Sequence, residues 1–293
     1  MFLNNFSSHY SRIEPKADER EQKPLSDLKQ PVVFTPRQVT RREKAFDLLE
    51  YTQQPNHCLP YLNNIVAYLS DKSENQLRPT GDYAVTQAEI TEKMKIVLYD
   101  WLFCIAQQFG LRERTVFLSL DFLELFMNSK YIRKNEYQLI GIACLFVASK
   151  YEEIYPPKVD DFCKTSDNFY KREEIFAIES ELLDYVCFDV TRVLVYDFYL
   201  LFTTLAGFED KVVHFGLFLL SLSSFDYTFY QGPKSIIAFA LCYLLHKIFK
   251  TPPFFEKIVN RTGEKLLLLS LDKGKFEGSM KWGGASDIFF KED

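Results

Sequence analysis

The sequence predicts an all-α protein: two tandem five-helix repeats with an N-terminal helix and a flexible N-terminal extension. Three observations predict it. From about residue 55 the apolar residues recur at helical spacing, and no segment shows the strict alternation of a half-buried strand. Two segments, 136–152 and 232–249, have apolar, small-residue centres with no polar face, as helices surrounded by other helices do. Glycine is scarce, at 11 residues against 28 Phe and 17 Tyr, which argues against glycine-rich β architectures and phosphate-cradling loops.

Residues 1–55 are polar, mix both charges and carry Pro15, Pro24, Pro31 and Pro36, so they read as the flexible extension. The basic cluster Arg37, Arg41, Arg42 and Lys44 reads first as a solvated charge run, with an import signal or a phosphate contact as the other readings. A helix over 58–70 places Tyr61, Ile65, Tyr68 and Leu69 on one stripe, and 71–86, with Pro79 and Gly81, reads as a loop. The spacing predicts a strong amphipathic helix over 90–109, with Met94, Val97, Leu98, Trp101, Leu102 and Ile105 on one wide face. Another helix is expected over 114–128.

The run 136–152 lacks a polar face, and its small residues Gly141, Ala143, Ala148 and Ser149 allow close neighbours. Pro156 and Pro157 end it, and a short helix is expected to start near Pro157. A charged helix over 171–187 has Ile175, Ile178, Leu182, Leu183 and Val186 as its apolar side. Further helices are expected over 193–205, 209–225, 232–249, 253–260 and 263–272, followed by a loose glycine-containing tail. The expected divisions are 1–55, 56–189, 190–273 and 274–293.

The net charge of −5 opposes broad nucleic-acid affinity. The six cysteines lack the CxxC spacing of zinc and redox sites, so no metal and no disulfide framework is expected. His9, His57, His214 and His246 are scattered, none near a plausible nucleophile, and no catalytic residues or cofactors are expected. The first residues lack a charged start followed by an apolar run, and the most apolar stretch after residue 211 is about 14 residues long, short of a membrane span. An intracellular protein with no membrane partner is expected, present in nucleus and cytoplasm.

Two strings carry an identity. DYAVTQAEITEKMKIVLYDW at 82–101 and LIGIACLFVASKYEEIYPPKVDDF at 139–162 together resemble the cyclin box, and are most similar to that of the A- and B-type, cell-division cyclins. The resemblance covers about residues 56–270 and implies that the two repeats are cyclin boxes. It further implies a regulatory subunit that binds and activates a cyclin-dependent protein kinase and controls cell-cycle progression at mitosis. Such a subunit performs no chemistry; it shifts the kinase toward its active state by differential affinity.

The resemblance also implies sites. Lys150 and Glu179 match the family's polar pair at the kinase interface, with Tyr151, Glu152, Glu153 and Ile154 in the same contact region. From the residues alone, a lysine after ten apolar and small residues must reach a polar partner or water, or cap its own helix. Tyr61, Ile65 and Tyr68 match a helix that touches the kinase in A-type proteins; their other reading is ordinary packing. Met94, Val97, Leu98 and Trp101 match the hydrophobic patch that docks arginine-x-leucine segments of substrates or inhibitors, with Gln138 as its polar companion. Read without the family, such a stripe is core, but this one is wide enough for one edge to be exposed, and Trp101 suits an interaction surface.

Where the family usually has an acid three positions after the tryptophan, this chain has Cys104. Lys95 and Glu124 stand where the family buries an arginine–aspartate pair, which keeps the charges and loses bidentate geometry. Two alternatives share the fold: a transcription-associated cyclin, and a transcription-factor-IIB-like DNA-binding protein, which would need a basic face and usually a zinc ribbon.

Overall fold

The computed structural model of the chain describes residues 61–79, 87–226 and 228–251. Among the described residues the secondary structure is helical, with no strand. The helices are α1 Leu62–Asn75, α2 Glu92–Phe109, α3 Glu113–Ser129, α4 Tyr137–Glu152, α5 Val159–Thr165, α6 Arg172–Tyr185, α7 Val195–Ala206, α8 Asp210–Ser223, α9 Thr228–Gln231 and α10 Lys234–Phe249. The extension, the helices expected over 253–260 and 263–272, and the tail lie outside the described residues.

The helices fall into two packed groups. In the first, α4 is the hub: it packs on α3, α6, α2 and α5. The sequence dictates this position. Tyr137 and every residue from Leu139 to Ser149 are buried, so each face of the helix needs an apolar neighbour. Gly141 lets α2 come close; a Cβ there would lie 3.1 Å from a methyl of Leu98. α3 is nearly as enclosed, buried from Thr115 to Met127.

In the second group α7 and α8 pack on α10. Gly216 is required where α8 crosses Tyr199. A Cβ would collide with the phenol, whose hydroxyl donates to the Val213 carbonyl at 2.8 Å. α10 is buried along Ile236, Ala238, Phe239, Leu241, Cys242 and Leu245, while Ile248 and Phe249 at its end are exposed. Rings join the two groups. Phe225 lies 6.1 Å from Tyr99 and 6.2 Å from Phe103, and Tyr196 lies 5.7 Å from Phe117.

Two elements differ from the sequence expectation: the short α9 lies between the helices expected over 209–225 and 232–249, where none was expected, and α1 is longer than expected. α1 runs on to Asn75, through residues read as loop. Its last turn is polar and so gives no apolar period, but Ser73 and Gln76 are buried and the Asn75 amide bonds back to Asp71 at 3.0 Å. Packing overrides propensity there.

Cys144, Cys163 and Cys242 are buried free thiols, Cys104 is half-buried and Cys187 exposed. Among the described residues no three His, Cys, Asp or Glu side chains are grouped to hold a metal ion, and no helix is long and apolar enough to cross a membrane.

Candidate functional site

The buried run of α4 ends abruptly between Ser149, fully enclosed, and Lys150, exposed. The Lys150 ammonium pairs with the Glu179 carboxylate from α6 and stands 4.3 Å over the ring of Phe146. The aromatic face strengthens a cation that is only partly desolvated. Large apolar side chains of α6 and of the end of α4 are exposed. Phe176, 6.1 Å from Phe146, is exposed, and so is Tyr151, whose hydroxyl shares a 3.0 Å hydrogen bond with Thr191. Ile154 and Tyr155 are 71% and 90% exposed. Exposed large apolar side chains at the end of the helix that carries the ion pair have the composition of a protein-binding surface.

Glu152 and Glu153 are turned inward, contrary to the reading of them as contact charges. Glu152 pairs with Arg114, which also holds Asp197 at 2.8 Å. Glu153 accepts from the Arg112 amide at 2.8 Å and the Thr115 hydroxyl at 2.6 Å. Burial raises the Glu152 carboxyl above its ordinary value, against the pull of Arg114. The start of α3 consumes both acids internally, leaving Lys150, Tyr151 and Ile154 as the outward members of that region.

The stripe on α1 faces out. Tyr61, Ile65 and Tyr68 are exposed, and Leu69 is half-buried; α1 packs inward through Val66, Ser73 and Gln76. It is tied to the segment after α6, where Lys72 pairs with Asp189 at 2.6 Å. Tyr151 and α1 are therefore anchored to the same connector, at Thr191 and Asp189.

On α2 the wide stripe divides. Val97 is 41% exposed and Met94 half-buried, whereas Leu98 is fully buried and Trp101 nearly so. Leu98 gives the patch no accessible surface, because it fills the space left by Gly141. Gln138 is half-buried and accepts from the Tyr170 hydroxyl at 3.4 Å. Burial and the nearby Asp100 raise the Cys104 thiol, so that position carries no charge at neutral pH.

The model of the cyclin N-terminal domain matches residues 64–191. A G2/mitotic-specific cyclin-B of Hydra vulgaris is 31% identical over 266 residues, 86% of this chain and 73% of that protein. This chain belongs to the cyclin family. It is also similar to Cyclin-A3-2 of Arabidopsis thaliana, 32% identical over 240 residues, and to a G2/mitotic-specific cyclin-B of Hydra viridissima, 31% identical over 242 residues. Each alignment covers 78% of this cyclin, and the relatives are covered to 64% and 61% of their length. The fold is like that of a viral cyclin from herpesvirus saimiri, with a TM-score of 0.59 and 17% identity, over 75% of this chain and 99% of the other. A likeness of fold also extends to the yeast RNA polymerase II CTD kinase CTDK-1 complex, with a TM-score of 0.50 and 15% identity over 71% and 72% of the two chains.

In this cyclin the structure brings Lys95 and Glu124 together at 2.7 Å in the interior between α2 and α3. The Tyr99 hydroxyl donates to the same carboxylate, a partner that sequence reading missed. It also missed Tyr155, Phe176 and the Arg114 cluster. The exposed aromatics gave no periodic signal, being in a loop and at one position of a helix. Arg114 could have been suspected as a charge opening a helix otherwise buried all round.

Proposed function

We propose that this cyclin binds and activates a cyclin-dependent protein kinase, recruits proteins carrying arginine-x-leucine docking segments, and acts in cell-cycle progression at mitosis, in the nucleus and cytoplasm. The observation that carries the reading is the Lys150–Glu179 pair, held over Phe146 with exposed Tyr151 next in the chain, exposed Phe176 against Phe146, and exposed Ile154 and Tyr155 just past the end of α4, in a chain of this family. A pair so placed fixes the register of a partner, and the exposed apolar side chains supply the affinity. The mitotic-specific cyclins among its relatives support the mitotic assignment.

The cyclin contributes no catalytic group. It activates by binding the active conformation of the kinase more tightly than the inactive one, and the shift equals that difference in affinity. Docking uses Met94, Val97 and the edge of Trp101, with Gln138 as the polar companion that the family resemblance implies. The neutral Cys104 leaves recognition of the segment's arginine weaker than an acid there would give.

The test is recovery of the tagged chain from its native lysate, with phosphotransfer assayed on the recovered material. Kinase activity is expected with the wild type and not with Lys150→Ala combined with Glu179→Ala. Wild-type protein that brings down no kinase overturns the proposal.

A further inference from the structure

A buried charge cluster lies beneath these surfaces, and none of them uses it. Asp121 sits in the middle of α3, where its neighbours on every side are buried. Two cations reach it from distant parts of the chain. Arg192, in the connector between α6 and α7, donates from Nε to Oδ2 at 2.7 Å. Lys234, the first residue of α10, donates from Nζ to Oδ1 at 2.9 Å. Both cations are buried.

Arg192 does more than pair. Its Nη2 donates to the Leu77 carbonyl, just beyond α1, at 2.6 Å, and its own carbonyl accepts from Arg114 Nη2 at 2.9 Å. The next residue, Val193, is bonded both ways to the Gln76 side chain: Gln76 Nε2 donates to its carbonyl and its amide donates to Gln76 Oε1, each at 2.9 Å. The end of α1, the connector and the start of α10 thus converge on one carboxylate, one oxygen serving each cation.

Burial pushes the Asp121 carboxyl up, but Lys234 and Arg192 outweigh it and hold the group below its ordinary value. Burial also lowers Lys234, which Asp121 only partly offsets. Each charge is costly to enclose without the others.

We infer that Asp121 is a latch with two separable holds: Arg192 fastens α1 and the connector to the first helical group, and Lys234 fastens α10. This concerns the free chain and stands apart from the kinase reading. Removing either cation leaves a neutral pair, so each hold can be released alone. The alternative is a single cooperative unit, in which any loss loosens everything together.

Hydrogen exchange of the full chain, read by peptide, separates the two. Arg192→Met is expected to speed exchange about tenfold or more over residues 72–79 and 190–194, leaving the first turn of α10 as in wild type. Lys234→Met is expected to do the converse. Asp121→Asn is expected to release both regions while the interior of α4 stays protected. The latch is overturned if the two cation variants loosen the same peptides, or loosen none. Should Asp121→Asn fail to fold, the two cation variants still decide between the outcomes.

Discussion

Lys95 on α2 and Glu124 on α3 form an ion pair with almost no access to water: Nζ lies 2.7 Å from Oε1, and the side chains are 2% and 0% exposed. The rings of Tyr99 and Tyr230 flank the ammonium, with centroids at 5.1 and 5.4 Å. Burial raises the Glu124 carboxyl above its ordinary value even though Lys95 and the Tyr99 hydroxyl oppose the rise. The pair therefore holds α2 and α3 in register without being a large source of stability, since most of the attraction offsets desolvation.

Lys95→Met should accordingly cost on the order of 3–5 kcal/mol at neutral pH, because it leaves a buried carboxylate without its cation. The loss should shrink on acidification, as the carboxyl takes up a proton. Lys95→Met with Glu124→Leu should recover most of it. Urea denaturation of the three proteins measures each step; a single variant as stable as wild type at pH 7 contradicts the account.

The stripe on α1 separates binding from stability. Tyr61 and Tyr68 are exposed, so Tyr61→Ser with Tyr68→Ser should change folding stability by about 0.5 kcal/mol or less. Truncating two aromatic anchors at an interface should weaken kinase association by about tenfold or more. Unchanged kinase recovery at equal expression removes α1 from the proposed interface.

On α2 neighbouring residues should behave oppositely. Leu98→Ala opens a cavity in a fully buried site and should cost about 2–5 kcal/mol, whatever the substrate. Val97→Ala should leave thermal unfolding almost unchanged and slow phosphorylation of substrates with arginine-x-leucine segments. Substrates without them should be unaffected. If Val97→Ala slows both substrate classes alike, the docking assignment falls.

The sequence was most legible where one kind of residue dominated a face. The enclosed α4 announces itself by having no polar side, and the stripe of α2 by its period. The same stripe could not tell Val97 from Leu98, because adjacent positions differ in exposure only through what packs beside them, here Gly141. Glu152 and Glu153 look like surface charge, since the arginines that take them in belong to another helix. Asp121 was hardest to read: its partners lie 71 and 113 residues away, and no local pattern signals them.

Asp121 carries a pH signature that follows from its two cations. They hold its folded-state carboxyl below the ordinary 3.8, although burial alone would raise it. The unfolded chain takes up the proton near 3.8, while the folded chain resists until lower pH. The stabilising contribution is therefore fully present above that value and is lost as pH falls through the folded-state value. Glu124, raised rather than lowered, changes in the opposite sense, so the single-site effect must be isolated by difference. Urea unfolding of wild type and Asp121→Asn should show a gap on the order of 3–5 kcal/mol at neutral pH. That gap should hold steady down to about pH 5 and then close toward acid, because protonated aspartate and asparagine are nearly alike. A gap that stays constant into acid, or that opens there, means the Asp121 carboxylate is not what Arg192 and Lys234 are holding.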